Sequence, residues 1–320
     1  MRILFAGTPA VAVPSLIELA KHHEVVGVLT RAAKPQGRKR VLVPSAVAQA
    51  AQELGIEVYT PATLKSEESQ QLIESLHVDA VAVVAYGKIV PQSLLDVPKH
   101  GWLNLHFSTL PRWRGAAPVQ YAIAAGDETI GISIFRIDAG LDTGKVALQV
   151  ESPMPIELTS GELLEQLAVE GAEKLVEVFS GLETGEIEFR EQVGEPSFAP
   201  SLTTENSGIE WDESAREIER KIRAYTPEPG AWSTYGDVRV RILPVKQGDD
   251  VTLRAAEASD RLALTREPGT IVAGKRVYVW TGEGAVELVK VIPAGKKEMD
   301  AAAWVRGLRD DQPKFARSAK

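Results

Sequence analysis

The chain contains no cysteine. That excludes disulfides, thiolate metal sites and cysteine nucleophiles, and a reducing cytoplasm fits. No uninterrupted apolar stretch reaches the roughly 18 residues that a membrane span needs. The opening MRILFAGTP has one early arginine and a short apolar run before Gly7 and Pro9. A charged leader followed by a long apolar stretch is missing there, so no signal peptide is expected. There is no repeat of fixed period, and no metal site is expected. The chain also lacks a positive excess: its net charge of −8 argues against indiscriminate coating of nucleic acid.

What is present is ordinary in bulk and uneven in distribution. The 320 residues suggest about two domains. Apolar residues make up 44% and charged residues 25%, as in a globular protein. Residues 1–208 hold 16 basic and 26 acidic groups, whereas residues 209–320 hold 20 and 18. One stretch breaks the acidic background: RAAKPQGRKR, residues 31–40, carries five positive charges and no negative one.

The first two hundred residues alternate strand and helix signals. RILFA (2–6) is a short apolar run closed by Gly7-Thr8-Pro9, and a helical pattern follows through Val13, Leu16, Ile17 and Ala20. VVGVL (25–29), Val58-Tyr59, AVAVVA (80–85), residues 101–107 and IGISIFRI (130–137) read as further strands. Pro44 opens a helical segment, and a long amphipathic helix is expected over 163–179. Strands alternating with helices in this way imply a mostly parallel sheet with crossover helices. Residues 190–208 are rich in Pro, Ser, Thr, Glu and Gly and read as a linker. Beyond them come a helical segment (213–223), short strand runs (238–243, 269–273, 277–281, 286–292) and a final helix (301–308). Closely spaced short strands suggest a small β-barrel of OB-like type. The expected division is therefore a domain over 1–189, a linker over 190–208 and a second domain over 209–320.

Candidate chemistry starts at NLHFSTLPRWRG, residues 104–115. On a strand, positions i and i+2 share a face, so Asn104 and His106 project together near the carboxyl end, where open parallel sheets border their ligand crevice. Taken alone, the pair reads equally as a buried amide and imidazole that satisfy backbone groups. The turn DAGLDTG (138–144) supplies carboxylates. A carboxylate beside an imidazole fixes its tautomer and favours its charged form, and an amide beside both can donate to a developing oxyanion. Asn, His and Asp at one point would suffice to move an acyl group to an amine without a serine or cysteine nucleophile. Read alone, 138–144 is also a polar turn closed by Gly140 and Gly144. Pro111 stiffens the loop behind the histidine.

HFSTLPRWRGAAPVQYAI, with NLH before it and IDAGLDTG after it, resembles the formyltransferases that use 10-formyltetrahydrofolate. The likeness spans nearly the whole chain: FAGTPAVAVPSL near the start, VVAYGKIVP at 83–91, IRAYTPEPGAW at 222–232 and PAGKKEM at 293–299 also resemble blocks of that family. The resemblance implies a Rossmann-like catalytic domain followed by a smaller OB-like β-barrel. It implies 10-formyltetrahydrofolate as formyl donor without a metal, methionyl initiator tRNA as acceptor, a monomer, and a cytoplasmic enzyme of translation initiation. By the same resemblance Asn104, His106 and Asp142 match catalytic positions. Asn104 and a protonated His106 would stabilise the oxyanion, and Asp142 would hold His106. Ala85, Tyr86, Gly87 and Ile89, with Ser108, Thr109, Leu110 and Pro111, would line the folate slot. Lys34, Arg38, Lys39 and Arg40 of the basic loop, and Lys296 and Lys297 with Lys290 farther on, would meet tRNA phosphates. Two departures stand out: Thr109 replaces the usual leucine, and the basic loop opens Arg31-Ala32-Ala33.

Three other readings compete. A formyltransferase acting on glycinamide ribonucleotide would carry a Gly/Ser-rich phosphate loop where this chain has AGTPAVAV. One acting on a nucleotide amino sugar shares the length and the C-terminal barrel but differs after the loop proline, here RWRGAAPVQ. A dinucleotide-binding dehydrogenase would need the second and third glycines of G-x-G-x-x-G, which GTPAVA lacks.

Overall fold

The computed structural model describes residues 1–37, 40–308 and 310–317. It divides into two compact units. The first comprises residues 1–118, 129–153 and 164–199; the second comprises 119–128, 154–163 and 200–320.

The first unit is built on seven strands: β1 (Arg2–Gly7), β2 (Glu24–Leu29), β3 (Val58–Tyr59), β4 (Ala80–Val84), β5 (Trp102–His106), β6 (Thr129–Arg136) and β7 (Val146–Pro153). They lie in the order β7-β6-β5-β4-β1-β2-β3. The pairs β3-β2, β2-β1, β1-β4 and β4-β5 are parallel, while β5-β6 and β6-β7 are antiparallel. The parallel part follows from continuous apolar runs: every residue of β4, AVAVV, is buried, as expected for a strand covered on both faces. Each such valine side chain contributes about 1.5–3 kcal/mol when removed from water. The strand order reverses between β1 and β4, a type of position where open sheets leave a crevice beyond the strand ends.

Helices cover the sheet where their apolar residues recur at helical spacing. The one over Ala46–Glu53 is capped by Ser45, whose Oγ accepts from Ala48 N at 3.0 Å; Pro44 therefore precedes the cap and is not in the first turn. The long helix runs over Ser160–Thr184, beyond the bounds legible from its apolar pattern. At Gly171 an added Cβ would lie 2.6 Å from Leu105, so the glycine allows this helix to approach β5 closely. Residues 190–199, which read from composition as linker, are built into the first unit: Phe198–Ala199 pairs in parallel with Arg114–Gly115.

The second unit is mainly antiparallel. Strands β8 (Trp232–Tyr235), β9 (Val238–Ile242), β13 (Lys290–Pro293) and β14 (Met299–Asp300) form one sheet; β10 (Ile271–Ala273), β11 (Val277–Trp280) and β12 (Ala285–Leu288) form another. Among the described residues the ladders form two sheets and do not close into the expected barrel. Trp211, Phe315 and Trp304 stack in the core, with ring centroids 5.2 and 5.5 Å apart. The helix Ala215–Ala224 buries Ile218 and Ile222 against this core and starts with a capping box between Ser214 and Glu217. A 14-residue helix, Asp249–Leu262, is not visible in the sequence pattern: its buried positions are Val251, Ala255 and Ser259, too small to stand out as an apolar stripe.

Candidate active site

Alternation along β5 sends Asn104 and His106 to one side. Both line a cavity of about 630 Å³, together with residues following β4 and the turn 138–142. Asn104 is half-buried, whereas His106 is 5% exposed. The Nε2 of His106 lies 2.9 Å from the carbonyl of Trp113. A carbonyl can only accept, so Nε2 carries the proton, and Nδ1 of the neutral ring keeps its lone pair. Nδ1 lies 3.9 Å from Asp142 Oδ2. Burial pushes the imidazole below its ordinary value of 6.5; the Asp142 charge and the Trp113 bond oppose that shift without cancelling it. The ring is therefore neutral at rest near pH 7. Desolvation outweighs the neighbouring carboxylate.

Asp142 is placed by its backbone. The turn 138–144 is shaped by Asp138, whose Oδ1 accepts from Gly140 N (3.0 Å) and Thr143 Oγ1 (2.6 Å). Asp142 itself is left-handed, with φ +50°, a region where aspartate is tolerated better than most residues. At Gly144 a Cβ would sit 1.7 Å from the Arg136 carbonyl, so only glycine fits. Asp142 Oδ2 accepts from Gly115 N at 2.7 Å. Gly115 has φ +122°, and a Cβ there would lie 2.6 Å from Ala199 O. One carboxylate oxygen thus faces both a fixed N–H and the basic nitrogen of His106.

The loop after β5 holds Trp113 in place. Ser108 Oγ donates to Arg112 O (2.6 Å), Leu110 N donates to Ser133 Oγ (3.0 Å), and Gln149 Nε2 donates to Leu110 O (2.9 Å). Ser108, Leu110 and Pro111 are buried and Thr109 is half-buried. None of the four borders the cavity described above. Their hydrogen bonds run partly to the sheet, at Ser133 and Gln149, and partly within the loop and to Ser197.

Ala85, Tyr86, Gly87 and Ile89 do border it. Ala85 (φ +48°) and Gly87 (φ +72°) are left-handed, so the chain turns sharply beyond β4. Thr8 Oγ1 donates to Tyr86 O at 3.3 Å, and Arg31 Nη2 donates to Gly87 O at 3.2 Å. Burial pushes the Tyr86 phenol up to about 12, so it stays protonated. Ile89 (80% exposed) and Leu141 (58% exposed) give the cavity an apolar lip.

The basic loop forms a small antiparallel hairpin, Lys34–Gln36 with Val41–Val43. Lys34 and Arg40 are exposed; Arg38 and Lys39 lie outside the described residues. The described hairpin cations do not line the cavity. In the second unit Lys296 and Lys297 are exposed in the turn between β13 and β14, while Lys290 is paired with Glu298 at 2.6 Å. Sequence reasoning missed the Trp113 carbonyl and the Gly115 N–H, because backbone groups leave no residue-type signal. It also missed Gln192 and Ser197, hidden in a stretch that reads as linker. Among the described residues no three His, Cys, Asp or Glu side chains are grouped to hold a metal, and no helix is long and apolar enough to cross a membrane.

Comparison with known proteins agrees with this architecture. The family model described as formyl transferase matches residues 1–179, and the formyl transferase C-terminal domain model matches residues 201–309. A methionyl-tRNA formyltransferase of Corynebacterium aurimucosum is 48% identical, over 96% of this chain and 95% of its own length. One from Paenarthrobacter aurescens is 47% identical, over 96% and 97%. Among solved structures, the sugar 3N-formyl transferase WlaRD matches with a TM-score of 0.67 at 16% identity, over 93% of this chain and 99% of its own. Methionyl-tRNA formyltransferase from Clostridium thermocellum matches with a TM-score of 0.54 at 18% identity, over 78% and 94%. The structural likenesses speak for the fold; the two models in succession and the near-half identity over nearly the full length speak for descent, and on that ground the chain belongs to the formyl transferase family.

Proposed function

We propose that this protein transfers the formyl group of 10-formyltetrahydrofolate to the α-amino group of methionyl initiator tRNA, in the cytoplasm, with Asn104, His106 and Asp142 carrying the chemistry. The acceptor is the one in the names of relatives 47–48% identical to this chain. The observation that carries the mechanism is the locked ring of His106: its Nε2–H is committed to Trp113 O, which leaves Nδ1 as the base, beside Asp142.

The cavity suits a flat folate donor. Its volume falls within the usual 300–1,000 Å³ of small-molecule sites. The turned backbone at Ala85–Gly87 offers amide groups to a pterin edge, and Ile89 and Leu141 offer apolar cover. The acceptor amine attacks in its neutral form; a free α-amine titrates near about 7.7–8.0, and the adjacent ester lowers that. As the nitrogen bonds to the formyl carbon, charge develops on the formyl oxygen, and the Asn104 side-chain amide donates to it. Removal of such a donor costs about 3–4 kcal/mol. His106 Nδ1 takes the proton released by the attacking nitrogen, and Asp142 stabilises the imidazolium so formed. The same proton then passes to the departing N10 as its bond to carbon breaks. One N–C bond forms, one breaks, and the ring returns to neutral.

Lys34 and Arg40 of the hairpin, Arg38 and Lys39 of the same basic stretch of sequence, and Lys296 and Lys297 supply the charge for tRNA phosphates. The test is to mix the protein with 10-formyltetrahydrofolate and methionyl initiator tRNA, deacylate, and look for N-formylmethionine. A nucleotide amino sugar serves as the rival acceptor. Formylation of the sugar with none of the tRNA would overturn the assignment.

A further inference from the structure

Residues 190–199 hold both backbone groups that the site depends on. Val146 and Arg190 exchange backbone bonds of 2.8 and 2.9 Å. Ser197 Oγ accepts from Trp113 N at 2.9 Å, and Ser197 O accepts from Arg114 N at 2.8 Å. Ala116 N donates to Ala199 O at 2.8 Å. The segment therefore brackets Trp113, whose carbonyl sets the His106 tautomer, and Gly115, whose N–H holds Asp142.

Gln192 reaches farther. Its Nε2 donates to Asp142 O (2.8 Å) and to Gly144 O (2.9 Å). Its Oε1 accepts from Arg114 Nε (3.2 Å) and Nη2 (2.6 Å). Carbonyls only accept and a guanidinium only donates, so a single orientation of the carboxamide meets all four partners. One half-buried side chain thus ties the left-handed turn that carries Asp142 to the strand that carries Gly115.

We propose that Gln192 is a positioning residue that fixes Asp142 against His106, within a strut formed by residues 190–199. The proposal rests on the reading of Asp142 and His106 as the reacting pair. Asp142 is held through Oδ2 by a single N–H, and its ribbon is strained; without Gln192 the Asp142 and Gly144 carbonyls lose their donor and the turn is free to swing. Oδ2 then leaves the 3.9 Å approach to Nδ1. Misplacement of about 1 Å at a reacting pair lowers rates about 100-fold.

The test uses the full-length protein with Gln192→Met, which keeps the length and removes all four bonds, and Gln192→Glu, which keeps the Arg114 pairing but sets a carboxylate against two carbonyls. In both, kcat is expected to fall about 10- to 100-fold, with KM for donor and tRNA within about threefold of wild type. Gln192→Met combined with Asp142→Asn is expected to be no slower than Asp142→Asn alone, since both remove the same coupling. An independent reading comes from histidine NMR on the resting protein. The groups packed on the ring are Asp142, the Trp113 carbonyl and the edge of Phe135. Of these only Asp142 is charged, so Gln192→Met and Asp142→Asn, which add no charge, are expected to move the His106 titration to lower pH. That reading needs no turnover, so it separates failure of the strut from failure of the formyl-transfer assignment. An unmoved His106 titration with wild-type kcat would overturn the proposal. So would losses that simply multiply in the double variant; if Gln192→Met does not fold, Gln192→Glu carries the kinetic reading, alone and combined with Asp142→Asn.

Discussion

The corner around His106, proposed as the catalytic one, and the basic hairpin belong to the same unit and treat their polar groups in opposite ways. In the corner, His106 is 5% exposed and each group placed on it is itself held: Trp113 by Ser197, Asp142 by Gly115 and Gln192. In the hairpin, Lys34 and Arg40 stand in solvent beside Val41 (58% exposed) and Leu42 (64% exposed). The difference suits the two roles proposed for them. A transition state has one geometry and rewards donors fixed in advance. A nucleic-acid backbone offers repeated charges and rewards cations that adapt to it.

That contrast can be broken at the corner first. Asn104→Ala should lower kcat by about 100- to 1,000-fold in a formylation assay, because a lost charge-stabilising donor costs about 3–4 kcal/mol, and His106→Ala by about 100- to 10,000-fold, because a positioned proton acceptor is lost, each with little change in thermal midpoint. Gly144→Ala should do nearly as much harm by another route. Its Cβ would meet the Arg136 carbonyl at 1.7 Å, so the turn must shift, and urea titration should show a loss of about 1–3 kcal/mol. The hairpin should behave differently. Replacing residues 34–42 by a short Gly/Ser link should raise KM for tRNA about tenfold or more while leaving KM for folate near wild type. It should also flatten the salt dependence. The smallest effect is expected at Lys296 and Lys297: changing both to Ala should weaken tRNA binding a few-fold and lower the slope of log Kd against log salt by about one for each phosphate no longer neutralised.

The pH dependence sharpens the same contrast. In the proposed mechanism His106 works as a base in its neutral form, and burial pushes its ionisation below 6.5. Turnover should then be level at neutral pH and fall only as pH drops beneath that value. The tRNA affinity, set by lysine and arginine, should not follow that fall.

Much of the corner is legible in the sequence because side-chain identity carries it. Strand periodicity puts Asn104 and His106 on one face and the glycines mark an acidic turn over 138–144, while the choice of these residues, and of Asp142 over Asp138, rests on the family resemblance. The parallel half of the sheet is equally plain in runs such as AVAVV. What stays hidden depends on backbone atoms or on bonds across long separations. Nothing in RWRG says that the Trp113 carbonyl fixes a tautomer or that the Gly115 N–H grips a carboxylate. Ser108–Pro111 is expected in the folate slot by family resemblance, and none of the four borders the cavity around His106. Gln192 and Ser197 lie among residues whose composition suits a tether, and only the fold shows them 50 and 84 residues away from Asp142 and Trp113 in sequence yet bonded to them. The helix over 249–262 escapes notice because alanine and serine fill its inner face.

The proposal rests most on one pair of groups, Asp142 and His106, and single-turnover kinetics reads it directly. Protein loaded with 10-formyltetrahydrofolate is mixed with saturating methionyl initiator tRNA, and the rate of N-formylmethionine formation is compared between wild type and Asp142→Asn. The expected result is a rate constant lower by about 100-fold or more with unchanged tRNA binding. A rate within about twofold of wild type would contradict the assignment of Asp142 and His106 as the pair that moves the proton.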